Sequence, residues 1–497
     1  MAFIDATALN VILPSLQQHL KASGPDLFWV LNAYLLMLAS LILIGGTLGD
    51  KLGRKKIFMI GIFIFIMGSA ACGFASSAII LIIFRVIQGV GGALMIPGSL
   101  SLISSSINEK ERGKAIGTWS AATTLVTMGG PALGGALADA GLWRYIFFIN
   151  VPIGIIVLLF LSTKVKEIKD ENNNKGVDFF GAIAIALGLA ILTFGFLRLP
   201  AVGFSHIQGY GSITAGILLL FTFVIIERKS SHPMMPLSLF SNIIFSGTNL
   251  LTFFLYAGLG AGMLFLSLNL VQVQGYTQLE SGLTFLPFTI FMVINARFAG
   301  SLADKYGPRL FLITGPFLAG LGLLLLSFIQ QTNGPSDYWT TFLPGILIFG
   351  FGMSLTVAPL TAAVMGSVSD HFTGTASGIN NAVSRIAGVF ANAVLGSLAV
   401  LLFSGALQKE IKKLPLNPQQ KQTITAQTTN LGNARVPIGF SPIQEKKISA
   451  AYRSGFIDAY GKIMKISATL GFLASIMAFI FIQKPRLIQN IQGNGRH

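Results

Sequence analysis

Gly46–Lys56 reads GTLGDKLGRKK, and Gly300–Leu310 reads GSLADKYGPRL. Both stretches lie between long apolar runs and supply the same elements in the same order. These are Gly46, Asp50, Gly53 and Arg54 in the first and Gly300, Asp304, Gly307 and Arg309 in the second. Small residues permit close backbone approach and positive φ, so each stretch is expected to form a tight polar turn between two membrane helices, its Lys and Arg holding it on the cytoplasmic side. Two copies imply two related halves.

Composition sets the solvent. The chain of 497 residues is 53% hydrophobic and 10% charged, with mean hydropathy +0.72, whereas soluble domains carry about 25% charged residues. It is therefore an all-α polytopic membrane protein by expectation. The net charge of +16 is dispersed over short loops between apolar runs and over one long loop. Anionic lipid headgroups, not nucleic acid, are the implied partners. The single cysteine, Cys72, lies inside an apolar run, so neither an intramolecular disulfide nor a thiolate metal cluster can form, and no metal or other cofactor is expected.

A membrane span needs about 20 apolar residues. Candidates are 1–16, 27–48, 57–76, 79–105, 114–138 and 145–163, a plainer pair at 179–199 and 211–226, then 243–272, 281–300, 310–329, 342–365, 376–403 and 466–482. That is fourteen, arranged six, two and six. The first falls short, since it spans roughly 24 Å of a core near 30 Å. A start codon assigned too late is expected, with about eight apolar residues missing upstream. The division is 1–163, 164–230, 231–483 with a long outer loop 404–465, and a cytoplasmic tail 484–497. Short loops assigned inside carry fifteen Lys and Arg and those outside carry Lys21, Arg144 and Arg198, which places both termini in the cytoplasm of a bacterial-type inner membrane. The polar stretch 417–442 is expected to lack fixed structure.

The repeat extends further. Gly113 and Gly117 are answered by Gly374 and Gly378, and Gly89, Gly91 and Pro97 by Gly350, Gly352 and Pro359. The pairs lie roughly 260 residues apart in the same orientation, as in a parallel repeat of two six-helix bundles around a central cavity. The Gly46 stretch resembles the signature loop of the major facilitator superfamily, which implies that fold and transport by alternating access.

Ionisable groups inside the membrane are costly and mark function by default. Asp5 is the one carboxylate placed within a predicted span, with Asn10 and Pro14 following it. A carboxylate there can exchange a proton and pair with a cationic substrate. Alternatively, it caps a helix at the cytoplasmic edge. Arg85 and Gln88 stand in the fourth span, and helical rise brings Asp5 and Arg85 within about a turn of each other. A guanidinium moving to or from a carboxylate changes how readily that acid holds a proton. The structural alternative is an Arg that bonds helix carbonyls. Arg385, beside Asn380 and Asn381, is a further candidate to line a cavity, while Arg297 snorkels.

These segments resemble the fourteen-helix drug:proton antiporters, the EmrB/QacA-like group. Ile4-Asp5-Ala-Thr7 through Asn10 and Pro14 is similar to that family's first-helix motif, and Arg85, Gln88, Gly89, Gly91 and Ala93 follow the superfamily's fourth-helix motif. Gly130, Pro131, Gly134 and Gly135 match the antiporter motif of the fifth helix, with Val126 in place of its first glycine. Helix packing alone also accounts for such glycines. Trp143, Arg144, Asn150 and Pro152 resemble a family segment expected to anchor the interface. The resemblance implies proton-driven export of amphipathic, often cationic small molecules, with Asp5, Asn10, Arg85, Gln88 and Arg385 in coupling, and the Gly46 and Gly300 stretches in gating. The same scaffold also serves exporters of a single metabolite or siderophore. A non-transporting sensor or scaffold working through 404–465, and an inactive truncated product, are the other readings. A periplasmic adaptor is not specified by the sequence. Motifs for nucleotide binding, zinc hydrolysis and serine nucleophiles are absent from the sequence, so an enzyme is not expected.

Overall fold

The computed structural model describes residues 1–106, 109–165, 167, 178–203, 205–369 and 372–482; the side chains of Asp50, Arg297 and Asp304 lie outside this description, as do linker positions 168–177 and the tail. Among the described residues there are seventeen α-helices and no strand. In chain order they are α1 (Ala2–Leu20), α2 (Gly24–Leu52), α3 (Arg54–Phe74), α4 (Ala78–Ser106), α5 (Glu109–Asp139), α6 (Tyr145–Phe148), α7 (Asn150–Lys164), α8 (Phe179–Val202) and α9 (Ile207–Lys229). There follow α10 (Ile243–Gln272), α11 (Gln278–Thr284), α12 (Leu286–Tyr306), α13 (Arg309–Leu326), α14 (Phe342–Gly366), α15 (Thr373–Ile411), α16 (Pro418–Ala426) and α17 (Pro442–Phe481).

Helix starts follow local chemistry. Ser23 and Asp26 form a reciprocal cap on α2, the Ser23 N–H donating to Asp26 Oδ2 at 2.8 Å with Pro25 in the first turn, and Thr277 with Glu280 does the same for α11. Pro287 opens α12, where its missing N–H costs no intrahelical bond, and the break at Phe285 separates α11 from α12. Among the described residues eleven segments are long and apolar enough to cross a membrane, one of them running through α6 and α7; α1, α5 and α12 are not among them. Large apolar side chains such as Phe74, Phe180 and Phe221 are exposed on the outside of the bundle, as a hydrocarbon solvent requires.

Three expectations are corrected here. The tight turn expected of Gly46–Lys56 is present but does not occupy the stretch: α2 stays helical through Leu52, and the reversal is made by Gly53 alone at φ 114°. Gly307 at φ 84° plays the same part after α12. Each glycine occupies a backbone region closed to most side chains, so one residue suffices to turn the chain. Gly46 and Gly300 instead face α4 and α14, next to Pro97 and Ala358.

The segment 417–442 is also ordered. Asn417 caps α16 by accepting the Gln420 N–H at 2.7 Å, Tyr452 Oη donates to the Ile424 carbonyl at 2.9 Å, and Ile424 and Leu431 are fully buried. Its polar residues serve as caps and carbonyl partners, while a few apolar ones anchor it, which composition alone does not reveal. The flanking helices are long because they hold this cap: α15 has 39 residues and α17 has 40, about twice the length of a single span. Finally, Trp143 does not anchor an interface. It is buried against Phe147, with the Arg144 guanidinium 4.2 Å above its ring.

The α8–α9 hairpin packs against α2 and α15. Leu36, Ile185, Leu189 and Val389 form the apolar seam between them. The hairpin also buries two carboxylates: Asp178 caps α8 at the Gly181 N–H (2.7 Å), and Glu227 accepts the Met235 N–H at 2.9 Å. Glu227 falls beyond the predicted end of its span, yet α9 continues past it to Lys229.

Candidate functional site

α1 supplies Asp5, and α4 supplies Arg85 and Gln88 one turn apart on one face. Two glycines make room for this arrangement. A Cβ on Gly68 would lie 2.7 Å from the Gln88 nitrogen, and one on Gly89 would lie 2.7 Å from the Tyr34 carbonyl oxygen. With no side chain at either position, α3 and α2 close on α4 around the polar pair.

Arg85 Nη1 donates to Asp5 Oδ2 and, at 2.8 Å, to Gln88 Oε1; Gln88 Nε2 donates to Asp5 Oδ1 at 3.0 Å. Arg85 Nε donates to the Val30 carbonyl at 3.2 Å, and the guanidinium carbon sits 4.4 Å from the centre of the Tyr34 ring. Asp5 and Gln88 are fully buried, and Arg85 is 1% exposed. Both carboxylate oxygens are thus bonded, and the cation has a counter-charge, a carbonyl and an aromatic face. A pair so enclosed is stable only while both charges are present, because either one alone is a bare ion in an apolar interior. Adding a proton to the acid therefore unbalances the whole cluster.

The other candidates sit elsewhere. Asn10 contributes its carbonyl, which accepts from Ser267 Oγ at 3.3 Å across the two halves. On α15, Asn380 Nδ2 donates to Asn249 Oδ1 at 3.1 Å and to Thr252 Oγ1 at 2.7 Å. Arg385 is half-buried one turn further along, and its Nε has no hydrogen-bond partner. One more cross-half bond joins Asn392 Nδ2 to Asn32 Oδ1 at 3.1 Å.

Gly130, Pro131, Gly134 and Gly135 lie where α5 meets α1 on one side and α11 on the other. A Cβ on Gly134 would meet the Ala8 carbonyl at 2.9 Å, and one on Gly282 of α11 would meet the carbonyl carbon of Pro131 at 2.7 Å. At this end of the bundle the halves are joined. Asp139 accepts the Gln278 and Leu279 N–H groups at 2.9 Å each, Ser15 accepts from Gln278 Nε2, and Gln17 Oε1 accepts from Gln272 at 3.1 Å and Asn433 at 2.7 Å. Sequence reasoning missed Asp139, which lies just past the predicted span 114–138.

At the opposite end, Glu167 closes the first signature loop, which sequence reasoning also missed. Its Oε1 and Oε2 accept the Lys55 and Lys56 N–H groups at 3.0 Å each, and Lys55 Nζ donates to the Val165 carbonyl at 2.7 Å. A carboxylate on the first N–H groups of α3 complements the helix dipole. In the second loop Arg309 Nη2 donates to the Phe479 carbonyl at 3.1 Å. Glu167→Gln is expected to cost about 0.5–1 kcal/mol, since this clamp faces solvent. Thermal unfolding of the purified protein measures it; an unchanged midpoint would remove the clamp from the stability of this end.

The sequence profile of the Major Facilitator Superfamily matches residues 1–392. The chain belongs to that superfamily. Among its relatives, the multidrug resistance protein Stp of Mycobacterium tuberculosis is 32% identical over 88% of this chain and 81% of its own length. The tetracenomycin C resistance and export protein of Streptomyces glaucescens is 28% identical over 97% and 89%, and the methylenomycin A resistance protein of Bacillus subtilis 29% over 82% and 87%. In three dimensions the chain is similar to a bacterial homologue of the human lysosomal transporter Spinster, at TM-score 0.62 and 19% identity over 97% of this chain and 96% of that one. This facilitator is an all-α integral membrane protein of a transporter superfamily.

Proposed function

We propose that this facilitator exports amphipathic small molecules in exchange for protons, with Asp5 as the proton-binding group and Arg85 as its counter-charge. The enclosed triad of Asp5, Arg85 and Gln88 carries the reading. A proton on Asp5 cancels the carboxylate charge and leaves Arg85 without a partner in an apolar interior, a state that favours rearrangement of α1 against α4. Loss of the proton restores the pair and this packing. The names of the relatives, which include multidrug resistance and antibiotic export proteins, support the export direction. In this reading α1, α5 and α12 also cross the membrane, giving fourteen spans, with both termini in the cytoplasm. The halves 1–163 and 231–483 rock about their interface, and 164–230 braces it. The joined end at Asp139 and Gln278 then faces outward.

Everted membrane vesicles test the coupling. With a proton gradient imposed, Asp5→Asn is expected to reduce dye accumulation by about 100-fold or more, while substrate exchange without a gradient persists. Gradient-driven accumulation by Asp5→Asn at the wild-type rate would sink the mechanism.

A further inference from the structure

Once Asp5 is accounted for, the charge left facing the junction of α2, α10 and α15 is positive. Asp5 is sheathed by Arg85 and Gln88 and has no exposed surface, so it offers a cationic substrate nothing in this conformation. Arg385 on α15 has no carboxylate partner among the described residues, and its Nε has no acceptor. Arg385 stands on α15, which packs against α2 of the first half and α10 of the second. Ser384, its neighbour in sequence, lines a cavity of about 70 Å³ together with Tyr256, Asn380, Asn381, Val357 and Leu360. Nearby, Asn32 Nδ2 and Tyr34 Oη are buried hydrogen-bonding atoms without partners.

We propose that Arg385 receives the negative or electron-rich group of the substrate, so that this site selects carboxylates, phenolates or sulfonates over lipophilic cations. The inference rests on the exporter reading and departs from the cationic substrates that the family resemblance implies. The physical reason is the match between what is unsatisfied and what a ligand brings. A guanidinium removed from bulk water is costly without a counter-charge, and its planar fork bonds a carboxylate or sulfonate through two parallel N–H donors. The surrounding amides and hydroxyls add donors and have no charge of their own. A lipophilic cation would meet repulsion from Arg385.

Fluorescein and rhodamine 123 share a xanthene core and differ in charge. In energised everted vesicles fluorescein is expected to accumulate and rhodamine 123 to do so at least about tenfold less, and fluorescence anisotropy on the purified protein is expected to show the same order of binding. Arg385→Gln should lower fluorescein binding and uptake about tenfold, with Arg385→Lys retaining part of both, while the thermal unfolding midpoint stays near that of the unmodified protein. A preference for rhodamine 123, or fluorescein binding that does not depend on Arg385, would overturn the assignment. Fluorescein binding that depends on Arg385 but is not followed by transport would support the subsite and count against export. Export of either dye without Arg385 dependence would do the reverse.

Discussion

Asp5→Ala is expected to lower the stability of the folded protein by about 3–5 kcal/mol, because it strands a cation in the interior. Arg85 is 1% exposed, and its other contacts, the Gln88 amide oxygen, the Val30 carbonyl and the Tyr34 ring, are neutral. Replacing both members, as Asp5→Leu with Arg85→Met, removes both charges together and is expected to recover most of the loss, since apolar groups of similar volume substitute for a buried pair at little cost. Transport should not recover with it. Unfolding in detergent and uptake in vesicles, measured on the same three proteins, separate scaffold from coupling. A double variant that transports like the unmodified protein would reduce the pair to a structural one.

The second large effect is expected at the joined end. Gly282→Val introduces a Cβ 2.7 Å from the Pro131 carbonyl carbon and 3.1 Å from the Ala132 nitrogen. These are backbone atoms of α5, which cannot rotate aside as a side chain would. The overpacking costs about 1–3 kcal/mol and falls on the conformation in which α5 and α11 touch. It is therefore expected to favour the conformation open at this end and to cut transport about tenfold. Ser15, buried beside Gln278, is a suitable reporter position. The chain's one cysteine, Cys72, is buried, so a Ser15→Cys protein reacts with an impermeant maleimide against little background. Faster labelling in the presence of Gly282→Val is the expected result; unchanged labelling with intact transport would mean that the α5–α11 contact does not govern closure.

Much of this arrangement is legible in the chain. Apolar run lengths mark the long helices, and the spacing of Gly89, Pro97, Gly350 and Pro359 marks the internal repeat, because both depend only on local length and on residues with distinctive backbone properties. Asp5, Arg85 and Gln88 are conspicuous for the same reason: polar groups in apolar runs are few. Where sequence reasoning fell short, the missing information was a partner. Glu167 and Asp139 look like ordinary acids beside a helix end until the N–H groups of α3 and α11 are seen against them. Stretch 417–442 looks like coil until Ile424 and Leu431 are seen to be buried.

The sequence by itself determined that this is a helical membrane protein with an acid, Asp5, and a guanidinium, Arg85, in separate apolar runs, since hydropathy and helical rise need nothing beyond the chain. Only the tertiary structure decided which charges cancel. Asp5 is consumed by Arg85 and Gln88, Arg385 has no carboxylate partner among the described residues, and Asp139 joins α5 to Gln278 of α11. Each of these depends on side chains brought within about 3 Å across helices that are far apart in sequence, a distance over which hydrogen bonds and ion pairs act and local pattern carries no information.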